Sequence, residues 1–89
     1  MKSVQLTISG RVQGVYFRAF TQKQAVKHGV TGFVCNKDDG SVEVVACAKA
    51  EKLQPFINWC HKGPIMAKVT KVDMTEALIT EAFSGFEIR

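Results

Sequence analysis

Three observations predict an α+β fold of the ferredoxin-like kind, a βαββαβ sandwich with two helices on one face of a mainly antiparallel sheet and a short fifth strand at the C-terminus. Strand-like and helix-like apolar periods succeed one another along the 89 residues in the order β-α-β-β-α-β. Gly29 and Gly63 stop the two helical stripes. Right-handed crossovers then place both helices on the same side of the sheet.

Val4, Leu6 and Ile8 alternate with Gln5 and Thr7, the pattern of a half-buried first strand, β1 over 4–8. After the glycine-punctuated segment Gly10 to Gly14, Phe17, Phe20, Ala25 and His28 take the spacing of one helical face and define α1 over 17–28. His28 closes this stripe as a half-buried or dipole-facing residue, a structural role. Val30 to Lys37 is β-rich, with Val30, Val34 and Asn36 on one face and Thr31, Phe33 and Cys35 on the other, which gives β2. Asp38-Asp39-Gly40 reads as a tight turn into β3, where Val42, Val44 and Ala46 resume the alternation. Leu53, Phe56, Ile57 and Cys60 form the stripe of α2, with Trp59 beside it, and Pro55 argues that the regular helix begins near Lys52. Val69, Val72 and Met74 suggest β4, and Phe83, Phe86 and Ile88 a short terminal strand, β5.

The length predicts one domain over residues 1–89 with a core of its own. An apolar content of 46% with 22% charged residues excludes disorder, and the longest apolar run, Val44 to Ala48, is far too short to span a membrane. Cys35, Cys47 and Cys60 are odd in number and no signal segment opens the chain, which predicts a reduced, cytoplasmic protein with packing cysteines. With no CxxC and two histidines, no metal site and no cofactor is expected. No heptad repeat or apolar excess is evident, so a monomer is expected. The charge is unevenly placed: residues 1–37 carry six basic residues and no acid, +6, whereas residues 38–89 carry −2. An acid-free half favours an anionic partner.

The segment from Gly10 to Arg18 joins β1 to α1. Its glycines allow consecutive N–H groups to converge, and the helix start adds unpaired donors and a partial positive charge, the makings of a phosphate cradle. It is neither a Walker A loop nor a dinucleotide GxGxxG. Arg18 in the first helical turn opposes the helix dipole unless an anion shares the place. Cysteine-nucleophile chemistry is excluded, because the positions six after each cysteine hold Ser41, Leu53 and Met66 instead of arginine. An aspartyl-phosphate mechanism lacks its Asp-x-Asp, and two-metal hydrolysis lacks its His/Asp cluster. Phosphate binding by backbone and arginine remains, with water as nucleophile.

These residues resemble the acylphosphatases. Gly10 to Arg18, GRVQGVYFR, matches that family's signature GRVQGVxFR, and Gly32 to Val44, GFVCNKDDGSVEV, matches its second, G-x-V-x-N before an acidic, glycine-bearing turn. Similarity continues through Lys62-Gly63-Pro64 and Gly85-Phe86-Glu87-Ile88. His28 departs from the leucine common in the family, in a place that concerns packing. The resemblance implies hydrolysis of acyl phosphates to carboxylate and inorganic phosphate, without metal or covalent intermediate. It implies that Arg18 and the backbone amides of Val12, Gln13, Gly14, Val15, Tyr16 and Phe17 bind the phosphoryl oxygens, and that Asn36 orients the attacking water. The sequence shows no evident pocket for the acyl group, and of the aromatic side chains near the cradle Tyr16 is the chief one expected to contact it. Two other readings stay open: a phosphate-binding module without turnover, like the related domain inside larger hydrogenase-maturation carbamoyltransferases, and an RNA-binding domain. The second is disfavoured, and no nucleic-acid partner is expected, because the outward positions Gln5, Thr7, Ser41, Glu43 and Val45 offer no stacking platform.

Overall fold

The computed structural model of the chain describes residues 1–76 and 81–89. Its elements are β1 (Lys2–Arg11), α1 (Phe17–His28), β2 (Thr31–Asn36), β3 (Val42–Ala48), α2 (Ala50–Lys62), β4 (Lys68–Glu76) and β5 (Phe86–Ile88). They form a five-stranded sheet in the order β4-β1-β3-β2-β5, antiparallel except for β2 and β5, which run parallel. This is the ferredoxin-like α+β sandwich expected from the sequence.

The register decides which chain segments meet. Val42 of β3 stands opposite Ile8 of β1 and opposite Asn36 of β2, so the C-terminal ends of β1 and β2 lie level on either side of β3. Both strands are antiparallel to β3 and therefore point the same way. β5 points with them, with Ile88 opposite Val34. Three strand C-termini thus reach one edge of the sheet, where α1 begins.

One core joins Leu6, Ile8, Val34 and Val44 of the sheet to Phe17 of α1 and Phe56 of α2. In α1 the buried face differs from the expected stripe. Phe20 is exposed, and Thr21 lies in the row with Phe17 and Ala25, its hydroxyl donating to the Phe17 carbonyl at 2.7 Å. A strict spacing of four makes this row narrow, and a local hydrogen bond lets a polar residue fill it. His28 is half-buried, as expected.

The α2 stripe of Leu53, Phe56, Ile57 and Cys60 is buried as expected, but the helix starts at Ala50 and runs through Pro55. Pro55 is exposed, so the Glu51 carbonyl that loses its helical donor lies on the solvent side, where water can serve it. In β4 only Val69 and Val72 pack on the core, while Met74 is 53% exposed. Pairing steps from Ser9 opposite Lys71 to Gly10 opposite Val69, a bulge at Thr70 that breaks the simple alternation.

Phe83 falls outside β5 and packs on Phe33, above which the Arg89 guanidinium sits 4.3 Å from the ring centre. Of the outward positions named above, Ser41 precedes β3 and is buried, and Val45 is buried too.

Among the glycines, Gly32 leaves the least room for a side chain. Its φ is 140°, and an added Cβ would overlap the Val45 carbonyl oxygen of the neighbouring strand. Backbone cannot yield as a side chain can, so Gly32→Ala is expected to cost about 3 kcal/mol. A urea unfolding midpoint unchanged by this substitution would contradict that account.

Candidate active site

Between β1 and α1 the chain is anchored at three points by the buried side chains of Val12, Val15 and Phe17. Between these anchors Gly14, at φ 74°, and Tyr16, at φ 62°, are left-handed. Two such residues so close together curl the backbone and turn successive N–H groups toward one point. Gly14 meets the demand without strain, and a Cβ there would touch nothing. Tyr16 is the one non-glycine residue at positive φ among the described residues, a conformation that costs about 1–2 kcal/mol. Strain of this kind gathers where backbone direction serves a ligand.

Tyr16 caps α1 without a side-chain hydrogen bond, and the first turn holds no acid. The amides of Phe17, Arg18 and Ala19 have no intrahelical acceptor, by the geometry of a helix start. Among the described residues, the amides from Val12 to Tyr16 donate to no backbone carbonyl. Arg18 is half-exposed in the same turn and belongs to no salt bridge among these residues.

Asn36 arrives from the other side. It ends β2 on the face that buries Val34, the helix-bearing face, and so points toward the start of α1. A cleft of about 380 Å³ is lined by Val12, Gly14, Tyr16, Phe17, Arg18 and Asn36. Ala19 and Ile88 complete its wall, and neither was singled out from the sequence as a site residue. The signal for Ile88 was weak: its alternation with Phe86 gave it a face, but only the parallel pairing of β5 with β2 brings that face to the cleft.

The Gln13 side chain adds a link that the motif does not display. Its amide nitrogen donates to the Lys37 carbonyl at 2.8 Å and to the Ser41 carbonyl at 2.9 Å, tying the loop to the segment after Asn36. The Asp38-Asp39-Gly40 turn is part of a five-residue connection, closed by Lys37 N–H donating to the Ser41 carbonyl at 2.8 Å. Within it one carboxylate oxygen of Asp39 accepts from the Ser41 hydroxyl at 2.6 Å and from its amide at 2.9 Å.

The Ser41 hydroxyl, and then its amide, hold the Asp39 carboxyl below its ordinary value of 3.8. A pKa depressed by folding contributes stability that is present above the unfolded value and lost as pH falls through the folded one. Asp39→Asn is therefore expected to flatten the acid limb of the stability profile below about pH 4. Melting temperatures measured from pH 2 to 6 check this; parallel limbs for both proteins would refute it.

All three cysteines are free, and none lines the cleft. Burial pushes the Cys60 thiol up to about 12. Half-buried Cys35 is raised by burial and then by Glu43. These are packing thiols. No helix among the described residues is long and apolar enough to cross a membrane.

Loop amides that donate to no backbone carbonyl, beside a guanidinium and a carboxamide, give this α+β domain a site with the chemistry to accept a tetrahedral oxyanion. Comparison with known proteins makes this specific. Residues 4–88 match the family model described as acylphosphatase. An acylphosphatase of Methylococcus capsulatus is 42% identical over 88 residues, covering 99% of this chain and 96% of the relative. The crystal structure of acylphosphatase from Bacillus subtilis superposes with a TM-score of 0.94 at 38% identity, covering 100% of this chain and 99% of that one. The crystal structure of HypF from T. kodakarensis superposes with a TM-score of 0.88 at 28% identity, all of this chain matching 12% of that one. The chain belongs to the acylphosphatase family and is an enzyme of that kind.

Proposed function

We propose that the enzyme hydrolyses acyl phosphates to a carboxylate and inorganic phosphate, with no metal ion and no covalent intermediate. The observation that carries this reading is the meeting of Arg18 and Asn36 in one cleft with the unpaired loop amides. Arg18 and the amides of Val12 to Phe17 hold the phosphoryl oxygens. Asn36 directs a water molecule at phosphorus. The new phosphorus–oxygen bond forms as the bond to the acyl oxygen breaks, the carboxylate departs, and the water's proton passes to phosphate or solvent. A carboxylate is a good leaving group, so positioning and charge stabilisation suffice. A neutral carboxamide holds water without repelling the phosphoryl group. The positive potential that a metal would bring is supplied by one guanidinium and the amide dipoles.

Residues 1–89 act in this reading as one domain, a cytoplasmic monomer with no nucleic-acid partner. Three free cysteines suit a reducing compartment. Apart from Tyr16 and Ile88 at the cleft, the exposed large apolar residues among those described are Met1 at the N-terminus, Phe20 and Val26 on α1, Ile65 and Met66 after α2, and Met74 on β4. Benzoyl phosphate hydrolysis should persist in excess chelator and be inhibited competitively by inorganic phosphate. Tight phosphate binding with no turnover of any acyl phosphate would make the protein a binding module instead.

A further inference from the structure

We infer that the Gln13 side chain is a positioning residue for the reaction: by gripping the chain just beyond Asn36, it sets the relation between the loop that holds the phosphoryl group and the carboxamide that directs the water. This deepens the proposed hydrolysis and rests on it. The side chain has no part in binding the substrate. Its neighbours Val12 and Gly14 line the cleft, and Gln13 does not.

The loop needs an outside tether because of the bonds it leaves unmade. Among the described residues the amides from Val12 to Tyr16 donate to no backbone carbonyl, so no internal ladder fixes the loop's setting. The buried side chains of Val12, Val15 and Phe17 pin it to the core, but apolar contact has no preferred direction. Hydrogen bonds supply direction. Among the described residues, the only ones joining residues 12–15 to another segment are the two from the Gln13 amide nitrogen.

Both acceptors belong to a neck that is already closed. The Ser41 carbonyl also takes the Lys37 amide at 2.8 Å, and the Lys37 carbonyl takes the Gly40 amide at 3.2 Å. Asn36, the residue before this neck, is held in register with Val42 of β3. Asn36 is thus fixed to the sheet on one side and referred to the loop through Gln13 on the other. Two bonds from one nitrogen use both hydrogens of a primary amide, and a thioether has none to give. A misplacement of about 1 Å between reacting groups can cost about 10²-fold in rate, so such a tether acts on kcat.

The test is a double-mutant cycle on benzoyl phosphate hydrolysis, read beside calorimetric binding of inorganic phosphate. Gln13→Met keeps the length of the side chain and removes both donors. With Asn36 present it should lower kcat by about 10–100-fold and leave phosphate affinity within about threefold. In the Asn36→Ala background the same substitution should lower kcat by less than about threefold, because the group it positions is gone. A residue that serves the fold alone would give one factor in both backgrounds, and that result would overturn the inference. An unchanged kcat in Gln13→Met would do the same, as would a fall in phosphate affinity that matches the fall in kcat. Each of these outcomes leaves the hydrolytic reading standing. A wild type that turns over no acyl phosphate would sink that reading, and this inference with it.

Discussion

Arg18→Ala is expected to lower kcat/KM for an acyl phosphate by about 10³–10⁴-fold while leaving the fold intact. Arg18 is half-exposed and belongs to no salt bridge among the described residues, so its loss removes little native packing. It also stands in the first turn of α1, where a cation opposes the helix dipole by about 0.3–1 kcal/mol. Alanine removes that conflict and is the better helix former. The expected signature is therefore an enzyme slightly more resistant to urea and nearly inactive, the mark of a residue kept for its ligand. Arg18→Lys restores the charge without the planar pair of donors and should recover only part of the rate. Steady-state kinetics beside urea unfolding decide the matter. An alanine variant within tenfold of wild type would remove Arg18 from the phosphate cradle.

Asn36→Ala is expected to lower kcat by about 10²–10³-fold with KM for the acyl phosphate little changed. The reason for the split is that Asn36 is proposed to act on the water, whereas the loop and Arg18 act on the phosphoryl group. A large rise in KM with kcat preserved would instead assign Asn36 to phosphate binding. Asn36→Asp should not restore activity, although it keeps the shape. A carboxylate beside the phosphoryl group is repelled, and its own pKa is raised by that neighbour. Gln13 ties the loop to the Lys37 and Ser41 carbonyls, so the segments proposed to hold the phosphoryl group and the water are directly hydrogen-bonded to each other.

Much of this was legible along the chain because the information is local. Alternation in Val4–Ile8 and Val42–Ala46, the stripe of α2, and the glycines that end both helices are short-range patterns with short-range causes. The loop from Gly10 to Arg18 is legible for the same reason, since two glycines, a helix start and an arginine in its first turn act on one another within nine residues. The misreadings also have local causes. Phe20 looked like core because a helical stripe cannot say which of two adjacent rows faces the sheet. Pro55 points to a later start because an interior proline loses a hydrogen bond and its ring crowds the carbonyl four residues back, yet α2 runs from Ala50 with Pro55 exposed and the freed Glu51 carbonyl on the solvent side.

By itself, then, the sequence determined the order of elements, the loop that can cradle an anion, and the charge of that loop. The cleft was decided by tertiary structure alone. Asn36 meets Arg18 because β1 and β2 are both paired antiparallel to β3 and so end at one level, a relation between residues far apart in the chain. Ile88 joins them because β5 pairs parallel to β2. Gln13 finds its acceptors across the same gap. Strand register is set by which faces can be buried together, and that is a property of the whole core, which no stretch of neighbouring residues contains.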